Sequence, residues 1–248
     1  MAIVATNLET TGSNVDATSY TTGSVAPSAN AVVLLGVWSA RTSGVISPTP
    51  SGLGLTWTLE AAFDFVAGTR RRSLWSALTG GSAPTPGTIL LDFGADKTMI
   101  GCAWTIIDVT GINTTDAVLQ PTTNSGTGTS GSVTLAAFGS ASNATFAFWA
   151  HGESEVTAPE AGWTELGDYN NTLPKIGFES EWLNANDTSP TASWVTSAAW
   201  GGIALELVAV AGGVVYERTS IDGLLIPDEK YRDEAHTQRD QLLTGDLF

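Results

Sequence analysis

The feature that most constrains the fold of this chain is an internal duplication. Five elements recur in the same order, first between about residues 18 and 112 and again between about residues 127 and 212. Each copy opens with Gly-Ser-Val, a short turn and an apolar run that contains a tryptophan, and each closes with an apolar strand that carries a single acid. Because tandem repeats of one unit bury their apolar faces against each other, the duplication predicts two similar halves that pack together.

Tryptophans provide the alignment between the two copies. Trp57 and Trp163 are each followed by threonine. A second tryptophan follows in each copy, Trp75 in the first and Trp182 in the second, and the two spacings differ by a single position. The closing strands carry Asp108 in one copy and Glu206 in the other. These matches predict that the tryptophans fill equivalent core positions and that the two acids occupy equivalent places.

The local patterns predict an all-β protein. Each copy holds about six segments with alternating or short apolar runs bounded by Gly, Pro, Asn and Ser, and no helical period occurs before residue 215. The fold predicted is a jelly-roll-like β-sandwich of about twelve strands, with two tandem small sandwiches as the alternative. Residues 1–112 would form its first half, 113–131 a linker or crossover, and 132–215 its second half.

The C-terminal segment differs in composition from the rest of the chain. Charged residues are much more frequent in the segment 217–248 than in the sequence before it. Pro227 followed by Asp228 and Glu229 is typical of a helix start, which predicts a partly helical arm over residues 216–248. Its apolar residues are predicted to contact a partner: Leu224, Leu225, Ile226, Tyr231, Leu242, Leu243, Leu247 and Phe248.

The net charge of −15 excludes several function classes. A nucleic-acid binder needs a basic surface, and an anionic membrane would repel this chain. The apolar run over residues 198–215 carries Glu206 and four glycines, so a buried repeat strand explains it better than a membrane span. The N-terminus lacks the pattern of a Sec export signal and Cys102 is the sole cysteine, and both features fit assembly in a cytoplasm.

The sequence shows no catalytic, cofactor or metal motif. Its two histidines, at positions 151 and 236, lie far apart in the chain, and no nucleophile elbow, cysteine pair or phosphate loop occurs. Five acids fall within the stretch 153–168, where a Ca²⁺ site or a glycosidase carboxyl pair stays open beside the preferred interpretation of solvated loop acids. We therefore predict no enzyme activity and no cofactor.

A charge contrast between the copies suggests a surface for self-association. Arg70, Arg71 and Arg72 are consecutive, and Glu179 and Glu181 share one face of the corresponding strand of the second copy. Aligning the second tryptophans of the two copies places Arg72 opposite Glu179. This alignment predicts a basic edge and an acidic edge on opposite sides of the molecule, through which copies of the chain would meet.

The high number of tryptophans, nine in all, raises the possibility of sugar binding. Seven of them lie in apolar runs or recur in register and are predicted to be core residues. Trp194 and Trp200 are the remaining candidates for exposed rings that would stack on a host-surface glycan.

Five elements of the first copy resemble β-sandwich proteins encoded among the virion genes of tailed bacteriophages. The elements are AVVLLGVWS, SGLGLTWTL, RRRSLWSAL, TILLDFG and CAWTIIDVTGI, and the resemblance extends over about residues 15–212. It implies a structural role on the particle, as head decoration or as part of the tail surface or fibre. It carries over no catalytic residues.

The expected function is therefore that of a non-enzymatic virion protein. It would be a capsid decoration (cement) or tail-surface protein that is attached through its C-terminal arm and contacts other virion proteins and copies of itself. A carbohydrate-binding adhesin or tail-fibre module is one alternative, and a glycan hydrolase is another.

Overall fold

The structure is a computed structural model that describes residues 2–210, and these residues form fourteen β-strands and no helix. The strands are β1 (Val4–Ser13), β2 (Ser19–Thr21), β3 (Val32–Ala40), β4 (Thr49–Gly52), β5 (Thr58–Val66), β6 (Arg70–Leu78), β7 (Ile89–Asp92), β8 (Gly101–Thr110), β9 (Val118–Ser132), β10 (Ala144–His151), β11 (Ala158–Pro159), β12 (Thr164–Thr172), β13 (Lys175–Leu183) and β14 (Thr191–Leu207).

Two antiparallel sheets with the same strand order make up the molecule. The first sheet runs β1-β8-β3-β6-β5, and the second runs β9-β14-β10-β13-β12, with the two-residue β11 also pairing with β14. The central strands β3, β8 and β10 are buried on both faces, as expected from their nearly continuous apolar sequences. The all-β prediction is thus confirmed, and the shared strand order agrees with the internal repeat.

The chain path differs from the prediction in two respects. Each copy completes one sheet before the chain passes to the other, whereas successive strands of a jelly roll alternate between sheets. The segment 113–131, predicted as a linker or crossover, is mostly the long edge strand β9 of the second sheet. Residues of both sheets share one hydrophobic core, so the alternative of two tandem sandwiches is wrong.

Three apolar clusters hold these layers together. The inter-sheet cluster joins the inner faces of both sheets and includes Leu34, Leu74, Phe146 and Leu205. A small third sheet, β2-β7-β4, covers the outer face of the first sheet, and a third cluster lies on the outer face of the second sheet. The central strands of both sheets are therefore buried on both faces.

The edges of the two sheets meet in a symmetric way. Strand β1 contacts β12 along one side of the sandwich, and β5 contacts β9 along the other. Since β1 corresponds to β9 and β5 to β12, the two contacts are equivalent under a pseudo-two-fold relation between the sheets.

The strand register fixes which residues of the two copies correspond. Asp108 of β8 lies opposite Val33 of β3. Glu206 of β14 lies opposite Thr145 of β10. Asp108 accepts a hydrogen bond from the backbone of Ser28, in the loop that precedes β3. Glu206 accepts a hydrogen bond from the backbone of Gly139, in the loop that precedes β10. The predicted equivalence of the two acids therefore agrees with the strand register.

A β-bulge recurs at the same place in both sheets. The register of β5 against β6 shifts at Glu60, and the register of β12 against β13 shifts at Leu166. Each bulge residue comes three positions after the Trp-Thr pair's tryptophan, Trp57 or Trp163. This alignment of the first tryptophans is therefore consistent with the structure.

The alignment of the second tryptophans is wrong. Trp75 packs into the cluster on the outer face of the first sheet, whereas Trp182 packs against the inter-sheet cluster. Residues on opposite faces are not equivalent, and the register pairs Trp75 with Glu181 and Arg72 with Phe178 instead. The reason is that a one-residue slip moves every side chain of a strand to the other face.

The C-terminal arm predicted over residues 216–248 lies outside the described residues, as does the end of the predicted second half, from position 211 to 215. Within residues 2–210 we find no helix with the length and apolar character needed to cross a membrane.

Candidate functional site

A cleft of about 530 Å³ lies at one end of the sandwich, on the inner face of the first sheet. Residues of β5 and β6 form one wall, and the segment 115–118, through which the chain passes to the second sheet, forms part of the other. The wall includes the bulge residue Glu60 and its neighbour Ser76 on β6. A bulge re-aims its side chain, and bulges are frequent beside binding sites.

The equivalent place in the second sheet is filled by side chains. Ser76 corresponds to Trp182, and Glu60 corresponds to Leu166. Both apolar residues pack against the inter-sheet cluster. The strand pairing shows this correspondence. Ser76 lies between Leu34 of β3 and Thr58 of β5, and Trp182 lies between Phe146 of β10 and Thr164 of β12. The duplication therefore leaves a cleft in one copy where the other copy has an indole and an isobutyl group.

The cleft is acidic and rich in hydroxyl groups. Glu60 Oε1 accepts a hydrogen bond from Ser76 Oγ at 2.5 Å, and Asp116 contributes a second carboxylate. Threonine hydroxyls line the remaining polar part, and Leu55 and Leu78 provide apolar surface. None of the residues that line the cleft is basic. Such a lining suits a ligand that donates hydrogen bonds or carries positive charge.

A second unusual group is a two-by-two array of carboxyl groups on the outer face of the second sheet. Glu179 of β13 lies opposite Asp168 of β12, and Glu181 lies opposite Glu165. Directly opposite residues on one face have Cβ atoms about 5 Å apart. Glu179 and Glu181 are both fully buried.

The array is largely without hydrogen-bond partners among the described residues. Both oxygens of Glu179, Oε2 of Glu181 and Oδ1 of Asp168 have none, while Glu181 Oε1 accepts a bond of 2.5 Å from Trp149 Nε1. Burial, and then the nearby carboxyl of Glu181, raises the pKa of Glu179 to about 10. Burial likewise raises the pKa of Glu181 to about 8 and that of Asp168 to about 6. Glu179 is therefore protonated at neutral pH.

Other acids of the stretch 153–168 hold loops in place. Glu153 forms an ion pair of 2.6 Å with Lys175. Glu155 accepts hydrogen bonds from the backbone of Val195 and Thr196, and its pKa is lowered mainly by hydrogen bonding to Thr196. No group of three or more histidine, cysteine or acidic side chains in the described part of the chain is arranged to hold a metal ion.

The three arginines do not form the predicted basic edge. Arg70 and Arg71 are half-buried, and Arg71 forms an ion pair of 2.8 Å with Asp64. Arg72 is fully buried between the sheets, with its guanidinium 3.6 Å from the ring centroid of Phe148 and a hydrogen bond to the carbonyl of Gly201. Burial holds the pKa of Arg72 well below its usual range. Arg72 thus belongs to the core.

Phe148 occupies the centre of the inter-sheet core because the facing strand carries a glycine. A Cβ atom at Gly36 would lie 2.7 Å from the Phe148 ring. The same ring supports Arg72 from the other sheet. This large-against-small pair allows the two sheets to approach closely and to enclose the guanidinium.

The predicted acidic edge is wrong for the same reason as the basic edge. Glu179 and Glu181 are buried under the segment that joins β10 to β12, where Thr157 is also buried. A buried carboxyl offers no surface to a second copy of the chain. Arg72, Glu179 and Glu181 therefore cannot form the basic and acidic edges through which copies of the chain were predicted to meet.

The two tryptophans proposed for sugar stacking are buried. Trp194 is 6% exposed and Trp200 is 7% exposed. Trp194 stacks on His151, with ring centroids 4.7 Å apart, and donates a hydrogen bond to the carbonyl of Gly128. Trp200 packs against Gly131 of β9. So little of either residue is exposed that neither ring can serve as a stacking platform, and this prediction is wrong.

His151 also belongs to this aromatic cluster. It is fully buried at the end of β10, and burial lowers its pKa to about 4. The imidazole is therefore neutral at physiological pH and acts as a packing residue beside the indole of Trp194.

The remaining predicted contact residues, Leu224 to Phe248 of the arm, lie outside the described residues. The sequence reasoning did not single out Glu60 and Ser76. The sequence contains a signal for one of them, since Glu60 follows Trp57 by the same number of positions as Leu166 follows Trp163, so an acid in one copy corresponds to a leucine in the other.

Comparison of the chain with protein-family models, with curated proteins and with solved structures gives no match.

Proposed function

We propose that the chain is a non-enzymatic structural protein of a tailed-bacteriophage virion, either a capsid decoration (cement) protein or a tail-surface protein. In this proposal the sandwich is the displayed body. The segment 216–248, as a partly helical arm, attaches the body to other virion proteins. The body is a face-to-face sandwich with one copy per sheet rather than a jelly roll.

The observation that supports this proposal most is the place of the five elements that carry the resemblance. They supply β3, the region of β4 and β5, β6, β7 and β8, which are consecutive parts of the first sheet and its cover. The elements that carry the resemblance are therefore neighbouring strands of one sheet and its cover, without β1 and β2, and not a scattered set of residues.

The distribution of charge is also in keeping with this role. The chain has a net charge of −15, and its charged residues are concentrated in the C-terminal segment 217–248. An acidic body stays soluble at high copy number, and a segment with charged and apolar residues is suited to docking on a partner.

A truncation tests the proposal. The full chain and a variant that ends at Val215 would each be produced in cells that make the phage particles of the source strain, and particles would be purified on density gradients. The full chain is expected to co-purify at fixed stoichiometry, and the truncated chain is expected to fold, by circular dichroism, but to remain free. Absence of the full chain from particles would refute the virion assignment, and binding of the truncated chain would refute attachment through the arm.

The carbohydrate-binding alternative loses its original basis, because Trp194 and Trp200 are buried. Any saccharide site on the described body would have to use a surface other than these two rings.

A further inference from the structure

We propose that the cleft beside Glu60 binds the side chain of an arginine carried by a partner protein. The cleft lies at a place where the two copies of the duplicated unit carry different side chains. One copy fills the place with Trp182 and Leu166, and the other leaves about 530 Å³ lined by polar groups.

The charge of the cleft selects a cation. Glu60 and Asp116 are the two charged residues of the lining, and both are acidic. Glu60 already receives one hydrogen bond from Ser76, which orients its carboxylate. A guanidinium presents several N–H donors in one plane and matches a carboxylate better than an ammonium does.

The shape of the cleft agrees with a flat head group on an aliphatic stem. The corresponding place in the second sheet accommodates the flat indole of Trp182. Leu55 and Leu78 supply apolar surface for the stem, and Leu78 is 39% exposed. Arginine buries its methylene groups along such surface while its head bonds to polar partners. The hydroxyl of Thr58 lines the same cleft as a further acceptor, whereas the hydroxyl of Thr79 is already bonded to the backbone N–H and carbonyl of Ala31.

Other ligand classes fit this lining less well. Phosphates, nucleotides and carboxylates would meet two negative charges and no basic residue. A saccharide site uses an aromatic ring as a stacking platform, and none of the lining residues is aromatic. The inference does not rest on the virion assignment, because it concerns the described body and not the C-terminal arm.

The experiment is a titration of the ¹⁵N-labelled full chain, followed by NMR, with N-acetyl-arginine N-methylamide. The matched control ligand is the citrulline amide, which has the same shape and no charge. Shifts confined to the amides of the cleft, including Thr58, Ser76 and Thr79, are expected with the arginine amide. The citrulline amide should bind at least about tenfold more weakly, since hydrogen bonds to charged groups exceed neutral ones by that order.

Two variants localise the binding. Glu60→Gln should weaken binding of the arginine amide by about tenfold. The double variant Glu60→Leu, Ser76→Trp copies the filling of the second sheet and should abolish binding. Asp96→Asn, which removes an exposed acid outside the cleft, should leave the affinity unchanged.

Several outcomes would overturn the proposal. Equal binding of the arginine and citrulline amides would show that charge plays no part. Cleft shifts with neutral oligosaccharides and none with the arginine amide would assign the cleft to a saccharide. Unchanged affinity in Glu60→Gln would place the site elsewhere. These results are independent of whether the full chain is found on phage particles, so the two proposals fail separately.

Discussion

The two sheets of this protein share strand order, register and the position of a β-bulge, yet their corresponding strands β6 and β13 bury charged side chains on opposite faces. The first sheet contributes Arg72 to the inner face, where the guanidinium lies over Phe148. The second sheet places Glu179 and Glu181 on its outer face, beneath a loop. The backbone of the duplicated unit has thus been kept while its side chains have diverged.

The two copies have kept some positions of the repeat and changed others. Both sheets need apolar inner faces because they share one core, and the acids at the end of the closing strand hold the same loop in both copies. The outer faces are covered by different segments, a third sheet in one case and the chain around Val133 and Leu135 in the other. The differences that affect function are therefore expected at the bulge and on the outer faces.

The largest expected loss of stability distinguishes the two equivalent acids, Glu206 and Asp108. Glu206 accepts hydrogen bonds from the backbone of Gly139 and from the side chains of Gln120 and Asn143. Asp108 accepts one, from the backbone of Ser28. Glu206→Ala should cost about 4 kcal/mol and Asp108→Ala about 1–2 kcal/mol, because each buried donor left without a partner is destabilising.

Urea unfolding followed by tryptophan fluorescence measures both losses of free energy. Equal losses for the two variants would show that the additional hydrogen-bond donors around Glu206 contribute nothing to the free energy of unfolding.

The next largest loss of stability is expected when the second sheet is given a cleft like that of the first. Trp182→Ser should destabilise the fold by about 3 kcal/mol, since it removes a large side chain that packs against the inter-sheet cluster and leaves a cavity. The matched change in the first sheet, Ser76→Ala, should cost less than about 1 kcal/mol because it removes a single hydroxyl. Chemical denaturation gives both values, and a loss of similar size at the two positions would contradict the difference in filling.

A smaller effect concerns the carboxyl array, through pH. The pKa of Glu179 is raised from 4.5 to about 10 in the folded chain, and those of Glu181 and Asp168 are raised to about 8 and about 6. A carboxyl whose pKa is higher in the folded state contributes stability that is fully present below the unfolded pKa. That stability is lost as the pH rises through the folded values. The free energy of unfolding should therefore fall between pH 5 and pH 8.

Glu179→Gln should flatten this dependence, because glutamine stays neutral. The variant should retain a few kcal/mol more of its stability than the parent chain over that interval, given about 1.4 kcal/mol per pH unit for a group that stays protonated only in the folded state. Thermal unfolding at several pH values provides the measurement, and Glu153→Gln, which changes an acid outside the array, is the control. A parent chain that gains stability from pH 5 to pH 8 would contradict the protonated state.

Much of the fold could be predicted from the sequence because the repeated Trp-Thr pairs and the apolar central strands are local signals. The error in the second half of each copy has a simple physical cause. The spacing from Trp163 to Trp182 is longer by a single position than the spacing from Trp57 to Trp75. In strands with a period of two, this difference places the two second indoles on opposite faces.

The candidate site was harder to predict for a different reason. Charged residues are normally exposed, so Arg72, Glu179 and Glu181 were expected at the surface, whereas burial depends on what covers the strand. Three consecutive arginines on a strand must alternate between faces, and this rule alone indicates that Arg71 differs from its neighbours. The cleft arises from a contrast between Ser76 and Trp182 that is visible once the register is known.

The most direct test of the central claim, that the cleft is the place where one copy lacks the filling of the other, is a crystal structure of the Glu60→Leu, Ser76→Trp variant. The introduced indole and isobutyl groups are expected to lie in the cleft as Trp182 and Leu166 lie in the second sheet, with an increase in stability of about 1 kcal/mol from the added apolar burial. An indole that points into solvent, with the cleft still open, would contradict the equivalence on which this account of the molecule depends.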